Sequence, residues 1–256
     1  MFKTLTAILC LSLFCNLSFA RSLSEIQKEK KLKIAVDTTY PPMEFESIDG
    51  KIIGLDVDLA KEIAKNLKVE AEFIVMPWDG ILAGLAGNRY DMIMSSMNIT
   101  PERSAQVNFV PYLNMGQVFI IKNGTNKVKT EKDLTGRTVA VQADTTSYTA
   151  VEGFQKSGIK IKEIKAFKGA TDAFSAVKSN QADVILIDEA VGLYYAGLDA
   201  KTFFVSGEAM KPEPIGIAIR KENKDLFEAV SNAVKTMKAN GSFNKIYKSW
   251  LKADPK

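Results

Sequence analysis

The chain of 256 residues contains no histidine. That removes the commonest metal ligand and the usual general base near neutral pH. Its two cysteines, Cys10 and Cys15, both fall within residues 1–20. The rest of the sequence therefore offers no disulfide, no thiolate metal site and no cysteine nucleophile. These absences argue against a zinc enzyme, a Ser-His-Asp hydrolase and any expected cofactor. A strong charge of one sign is also missing. The formal net charge is +4, and +3 without Lys3, with the lysines scattered along the chain. So mild a balance does not predict nucleic-acid binding. No low-complexity run or short repeat occurs, and no second long apolar segment follows the first.

That first apolar segment reads as a secretory signal over residues 1–20. Lys3 supplies the positive start, Leu5 to Leu17 is mostly apolar, and Ser18-Phe19-Ala20 is a small-x-small cleavage site. The run is short for a membrane span; an uncleaved anchor is the competing reading. A lipid anchor needs small residues before a cysteine, whereas Leu9 precedes Cys10 and Phe14 precedes Cys15. Removal of residues 1–20 leaves 236, enough for two modest domains or one large one. Hydrophobic content of 46% and charged content of 25% fit a globular protein. The expected location is outside the cytoplasm, and the expected state is monomeric.

The central stretch is Asp91 to Arg103. It begins as a buried strand, turns polar at Ser95, Ser96 and Asn98, and ends as a helix start. Thr100 is a good N-cap, Pro101 suits the first helical position, and Arg103 follows one turn in. Such a strand end resembles a wall of a small-molecule site, because arginine grips carboxylates through two parallel hydrogen bonds. A solvated surface arginine is the competing reading.

Earlier in the chain, strand 33–36 runs into the loop Asp37-Thr-Thr-Tyr-Pro-Pro42. Open α/β sheets hold ligands beyond the carboxyl ends of their strands, which makes Asp37 and Tyr40 candidates. A loop cap for Asp37 and packing beside the prolines for Tyr40 compete with that role. From Gly54, Leu55, Leu59, Ile63 and Leu67 follow helical spacing; Asp56 and Asp58 are read as organising the helix start. A strand is expected over 71–76, and Trp78 then opens a helix, either as core or as a flat binding surface. Strand 108–111, a crossing over 112–116 and a strand from Gln117 follow.

A second unit repeats the rhythm. Strand 138–141, loop 142–147 and a helix lead to strand 159–165, helix 170–179 and strand 183–187, with Asp188-Glu189 opening another helix. Strand 215–219 and helices 224–239 and 242–251 return the chain to its first half. In both halves a helix precedes a short strand that ends in a polar cluster, Ser95 to Asn98 in one and Asp188 in the other.

Taken together, Gly54-Leu-Asp-Val-Asp-Leu-Ala-Lys-Glu-Ile-Ala64 and the stretch Asp91 to Arg103 resemble the polar amino-acid-binding proteins of bacterial ABC importers. These are the solute-binding proteins of family 3, of the lysine/arginine/ornithine-, histidine-, arginine- and glutamine-binding type. Segments 132–142, 171–174 and 216–221 agree in order and spacing, so the resemblance covers about residues 30–252. It implies an α/β, two-lobe periplasmic-binding-protein fold, each lobe a sheet flanked by helices, joined by two hinge crossings. Residues 21–113 and 210–256 are expected to form one lobe and residues 114–209 the other.

By the same resemblance, Arg103 clamps the α-carboxylate with Thr146 and the Ser96 backbone, and Asp188 pairs with the α-ammonium. Asp37 meets the ligand side chain, and Tyr40 and Trp78 lie against its aliphatic part. Ser95, Asn98, Gln142 and Thr145 complete the expected site. Two departures stand out: Asp144 where the family usually has glycine, and Met43 in place of a commoner phenylalanine, which predicts a looser aromatic wall.

Counting Arg103 against Asp37 and Asp188 gives a pocket of net −1. An unpaired carboxylate in a closed, dry cleft is costly. The expected ligand is therefore lysine, arginine or ornithine, with histidine next and glutamine as the alternative. Hinge closure would then present both lobes to an ABC permease in the inner membrane. Two further readings compete: a dehydratase using Asp37, Glu46 or Asp188 as acid or base, and a soluble sensor docking to a receptor.

Overall fold

The computed structural model describes residues 21–253. The signal read over residues 1–20 lies outside them. Helix α1 (Leu23–Glu29) opens with a reciprocal cap between Ser22 and Glu25. It leads into β1 (Lys31–Val36), and β2 (Thr39–Tyr40), β3 (Glu44–Glu46) and β4 (Ile52–Ile53) form a small antiparallel sheet. Next come α2 (Leu55–Asn66), β5 (Glu70–Val75), a 3-10 turn at Trp78–Gly80, α3 (Ile81–Ala86), β6 (Met92–Ile93), α4 (Pro101–Ser104) and β7 (Val107–Met115). The second unit holds β8 (Gln117–Lys122), β9 (Thr138–Gln142), α5 (Thr146–Lys156), β10 (Glu163–Phe167), α6 (Ala170–Lys178), β11 (Val184–Asp188), α7 (Glu189–Leu198) and β12 (Phe203–Ser206). Strand β13 (Glu213–Arg220), α8 (Lys224–Ala239) and α9 (Ser242–Leu251) close the chain.

Two five-stranded sheets result, ordered β5-β1-β6-β13-β7 and β10-β9-β11-β8-β12. In each, the first three strands run parallel and the last two are antiparallel additions. The repeated sequence rhythm is thus a repeated architecture of two lobes. Parallel strands covered by helices on their faces are buried throughout, which is why β9 and β11 are unbroken buried runs. Leu55, Leu59, Ile63 and Leu67 of α2 are buried against the first sheet, as their spacing predicts.

Several boundaries differ from expectation. Strand β7 does not stop at Pro111 to become a crossing. It stays paired with β13 as far as Met115 opposite Glu213, because Tyr112, Leu113 and Met115 still have a buried face to cover. Strand β6 is shorter than 90–94, although Met94 N still bonds Ala35 O. Strand β10 starts at Glu163 rather than Ile159, in register with Thr138 of β9. Met43 is wholly buried in the core and does not itself line the cleft.

The lobes connect at Gly116 and through residues 207–212. Met210 N bonds Gln117 O at 2.8 Å, so the two crossings run side by side. A Cβ on Gly116 would lie 2.5 Å from Met210 O, so only glycine allows this approach.

Candidate functional site

The carboxyl ends of β1, β6, β9 and β11 meet where the two lobes face each other. Asp37 follows β1, Ser95, Ser96 and Asn98 follow β6, Gln142 ends β9, and Asp188 ends β11. Thr145 caps α5 by accepting from Tyr148 N, and Thr146 begins that helix. These residues surround a small cavity of about 20 Å³, room for about one water. Asp37, Tyr40, Trp78, Ser95, Ser96, Asn98, Gln142, Thr145, Thr146 and Asp188 all line it. Arg103 does not; it stands just behind, its guanidinium 5.2 Å from the Trp78 ring centroid. Its Nη1 donates to Asn98 O and its Nη2 to Asp144 O, each at 3.0 Å.

Hydrogen bonds cross between the lobes around this cavity. Gln142 Nε2 donates to Asp37 Oδ2 at 2.6 Å, and Thr146 Oγ1 donates to Asn98 Oδ1 at 3.1 Å. Trp78 Nε1 donates to Asp144 O at 3.0 Å, and Ala170 N to Thr39 Oγ1 at 3.1 Å. Tyr40 lies against the Asp188 carboxylate. Asp144 holds φ +58°, a left-handed conformation that aspartate accepts better than most residues. The turn therefore survives the loss of glycine, and its carbonyl takes both Trp78 and Arg103.

The wall on the first lobe is held from behind. Asp37 N donates to Ser95 Oγ at 2.9 Å, and Ser95 Oγ donates to Glu44 Oε1 at 2.8 Å. Ser96, at φ +46°, donates from N and Oγ to Asp56 Oδ2 at 2.7 and 3.1 Å. The Tyr112 hydroxyl donates to the same carboxylate. Asp56 therefore does not cap α2, where Gly54 is the N-cap without a side-chain bond. Its carboxylate instead fixes the serine turn.

Burial dominates the electrostatics. Asp37 is raised above the usual carboxylate range by burial, with Gln142 and Thr39 opposing. Burial lifts Asp188 to about 7 with Tyr40 opposing, and burial and the nearby Asp56 hold Glu44 well above the usual carboxylate range. Burial lowers Arg103, with Asp188 opposing. Glu44 and Ser147, not anticipated from the sequence, also line the cavity. The signal for Glu44 was an acid between two large apolar residues, Met43-Glu44-Phe45. Glu46, considered as an acid or base, is exposed and outside the cavity because it lies at the open end of β3.

The L-cystine-binding protein TcyJ of Escherichia coli (strain K12) is 30% identical over 234 residues, covering 91% of this chain and 86% of that one. The ABC transporter arginine-binding protein 1 of the same strain is 31% identical over 245 residues, covering 94% and 96%. The solved structure of the P235GK mutant of ArgBP from T. maritima superimposes with a TM-score of 0.84 at 35% identity, covering 90% of this chain and 99% of that one. The family model for bacterial extracellular solute-binding proteins, family 3, matches residues 32–253. With its two-lobe α/β fold and its cleft at the strand ends, the chain belongs to the bacterial extracellular solute-binding proteins, family 3.

Proposed function

We propose that the protein captures an L-amino acid with a cationic side chain and delivers it to an ABC permease. One observation carries the choice of ligand class. Asp37, Glu44 and Asp188 share one enclosed cavity with a single guanidinium at its edge, and among the described residues no lysine lines it. A zwitterion adds no net charge to this set, whereas lysine, arginine or ornithine adds the missing cation. An acidic ligand meets only like charge beyond Arg103.

In this reading Arg103, Thr146 and the Ser96 backbone take the α-carboxylate, and Asp188 takes the α-ammonium. Asp37 and Glu44 face the side chain, and Tyr40 and Trp78 enclose its stem. Residues 21–113 and 210–253 act as one body and 114–209 as the other, turning about Gly116 and its neighbour Met210. Ligand favours closure only through contacts stronger in the closed form, which here means contacts to both lobes. The proposed site of action is the periplasm, after removal of residues 1–20.

Thermal-shift measurement of the mature protein against the twenty amino acids, ornithine and cystine tests this, because a ligand of the folded state raises the melting temperature. The expected result is a shift with arginine, lysine or ornithine. A shift with glutamine or cystine alone overturns the cationic class while keeping the transport role. Strong shifts with glutamate or aspartate contradict the charge count. No shift with any of them returns the dehydratase and sensor readings.

A further inference from the structure

We propose that Glu44 and Asp56 share one proton across a buried carboxyl–carboxylate contact, and that cation capture in the adjoining cavity releases it. The second half rests on the cationic-ligand reading above. Glu44 lies on β3 opposite Tyr40 and is 1% exposed; Asp56 lies on α2 and is 0% exposed. Asp56 N donates to Met43 O at 2.9 Å, which sets Asp56 beside Glu44, and each carboxyl group acts on the charge of the other. Glu44 Oε1 accepts from Ser95 Oγ, but Glu44 Oε2 is buried with no donor reaching it. Asp56 is already satisfied by Ser96 N, Ser96 Oγ and the Tyr112 hydroxyl.

Two ionised carboxylates are acceptors only, so they cannot bond each other, and like charges in a dry site do not both ionise. One proton on Glu44 Oε2, donated to Asp56, gives the orphaned oxygen a partner and removes one charge. It belongs on Glu44 because Asp56 receives three donors that favour its charged form and Glu44 receives one. The other titratable groups facing the pair are Asp37 beyond β1, Tyr40 on β2 and Tyr112 on β7, with Asp188 on the far side of Tyr40. None is a lysine or arginine, and the groups that compete for the proton are the carboxylates of Asp37 and Asp188.

Asp56 is then a positioning residue. It touches no cavity space but holds Ser96 in its left-handed turn. Glu44 is the member that faces the cavity. A cation arriving beside it stabilises its ionised form, and the proton passes to solvent. A ligand with a neutral side chain leaves the proton in place.

Glu44→Gln copies the protonated state, with an amide N–H toward Asp56 and a carbonyl toward Ser95. Thermal unfolding without ligand is compared from pH 5 upward. A raised carboxyl contributes stability fully below its unfolded value and loses it as pH climbs through its folded value. The wild type is therefore expected to lose melting temperature with rising pH relative to Glu44→Gln. Asp56→Asn, which removes the charged member, is expected to lower it at every pH. Glu44→Gln melting below wild type throughout overturns the shared proton.

Calorimetry with arginine in two buffers of different ionisation enthalpy then counts protons, with glutamine as the neutral probe. Wild type is expected to release more protons than Glu44→Gln on binding arginine, and its affinity to change by up to about tenfold per pH unit for that proton. Equal proton counts overturn the coupling. Absence of arginine binding overturns the ligand class and the coupling together, while the ligand-free melts still decide the shared proton.

Discussion

The two walls of the cleft are built differently. On the first lobe, Ser95 and Ser96 are bonded to Glu44 and Asp56 of their own lobe, and the Asp37 backbone to Ser95. On the second, Gln142 and Thr146 make side-chain bonds to Asp37 and Asn98 across the gap, and Asp188 lies against Tyr40. One wall is fixed before closure, and the other completes itself by closing. The first can therefore act as the docking surface and the second as the clamp, and substitutions in the two should separate binding from lobe stability.

The largest effect is expected at the clamp. Asp188→Asn removes the charge assigned to the α-ammonium, a loss of about 3–5 kcal/mol, more than a hundredfold in affinity. Its sign with pH is fixed by burial. Raised from 3.8 to about 7, Asp188 stabilises the ligand-free closed form fully below 3.8 and loses that contribution as pH rises through about 7. Affinity for amino acid should instead climb over that interval, as the carboxylate ionises. Titration calorimetry at pH 5 to 8 should show this climb shrink in Asp188→Asn; an unchanged profile breaks the distinction between clamp and platform.

A smaller loss is expected on the fixed wall. Arg103→Lys keeps the charge and loses the planar fork, at about 1.5–3 kcal/mol of ligand binding. Near-normal binding by this variant removes Arg103 from the carboxylate role. The smallest effects belong to the turn at Asp144. Only its carbonyl takes Trp78 and Arg103, so Asp144→Gly should leave affinity within about twofold and stability within about 1 kcal/mol. Asp144→Val, forced into left-handed backbone, should cost about 1–2 kcal/mol in a denaturant melt. Affinity lost in Asp144→Gly would give the carboxylate itself a role and blur the contrast.

Much of this was legible because helices and parallel strands announce themselves by periodicity. Leu55, Leu59, Ile63 and Leu67 placed α2, and Thr100-Pro101 placed α4. The polar ends of β6 and β11 were visible because an apolar strand stopped at a hydroxyl or a carboxylate. The roles of Asp56 and Glu44 were not. An aspartate two residues into a helix looks like a charge at its start, and its true partners, Ser96 and Tyr112, lie 40 and 56 residues away. Likewise β7 could not be followed past Pro111, since what carries it onward is its pairing with β13, about a hundred residues later. Local pattern reports the element, and only tertiary pairing reports the partner.

Strand β13 lies between β6 and β7 in the first sheet. That sheet stays split, β5-β1-β6 on one side and β7 on the other, until a strand made after the whole second lobe is inserted. The second sheet, by contrast, is contiguous from Gln117 to Ser206. A chain emerging amino end first can complete the inserted lobe while the lobe that began it still lacks a strand. The late arrival of Ile215 to Arg220 therefore sets when the docking wall exists at all, and an unfinished chain would carry a clamp with nothing to close upon.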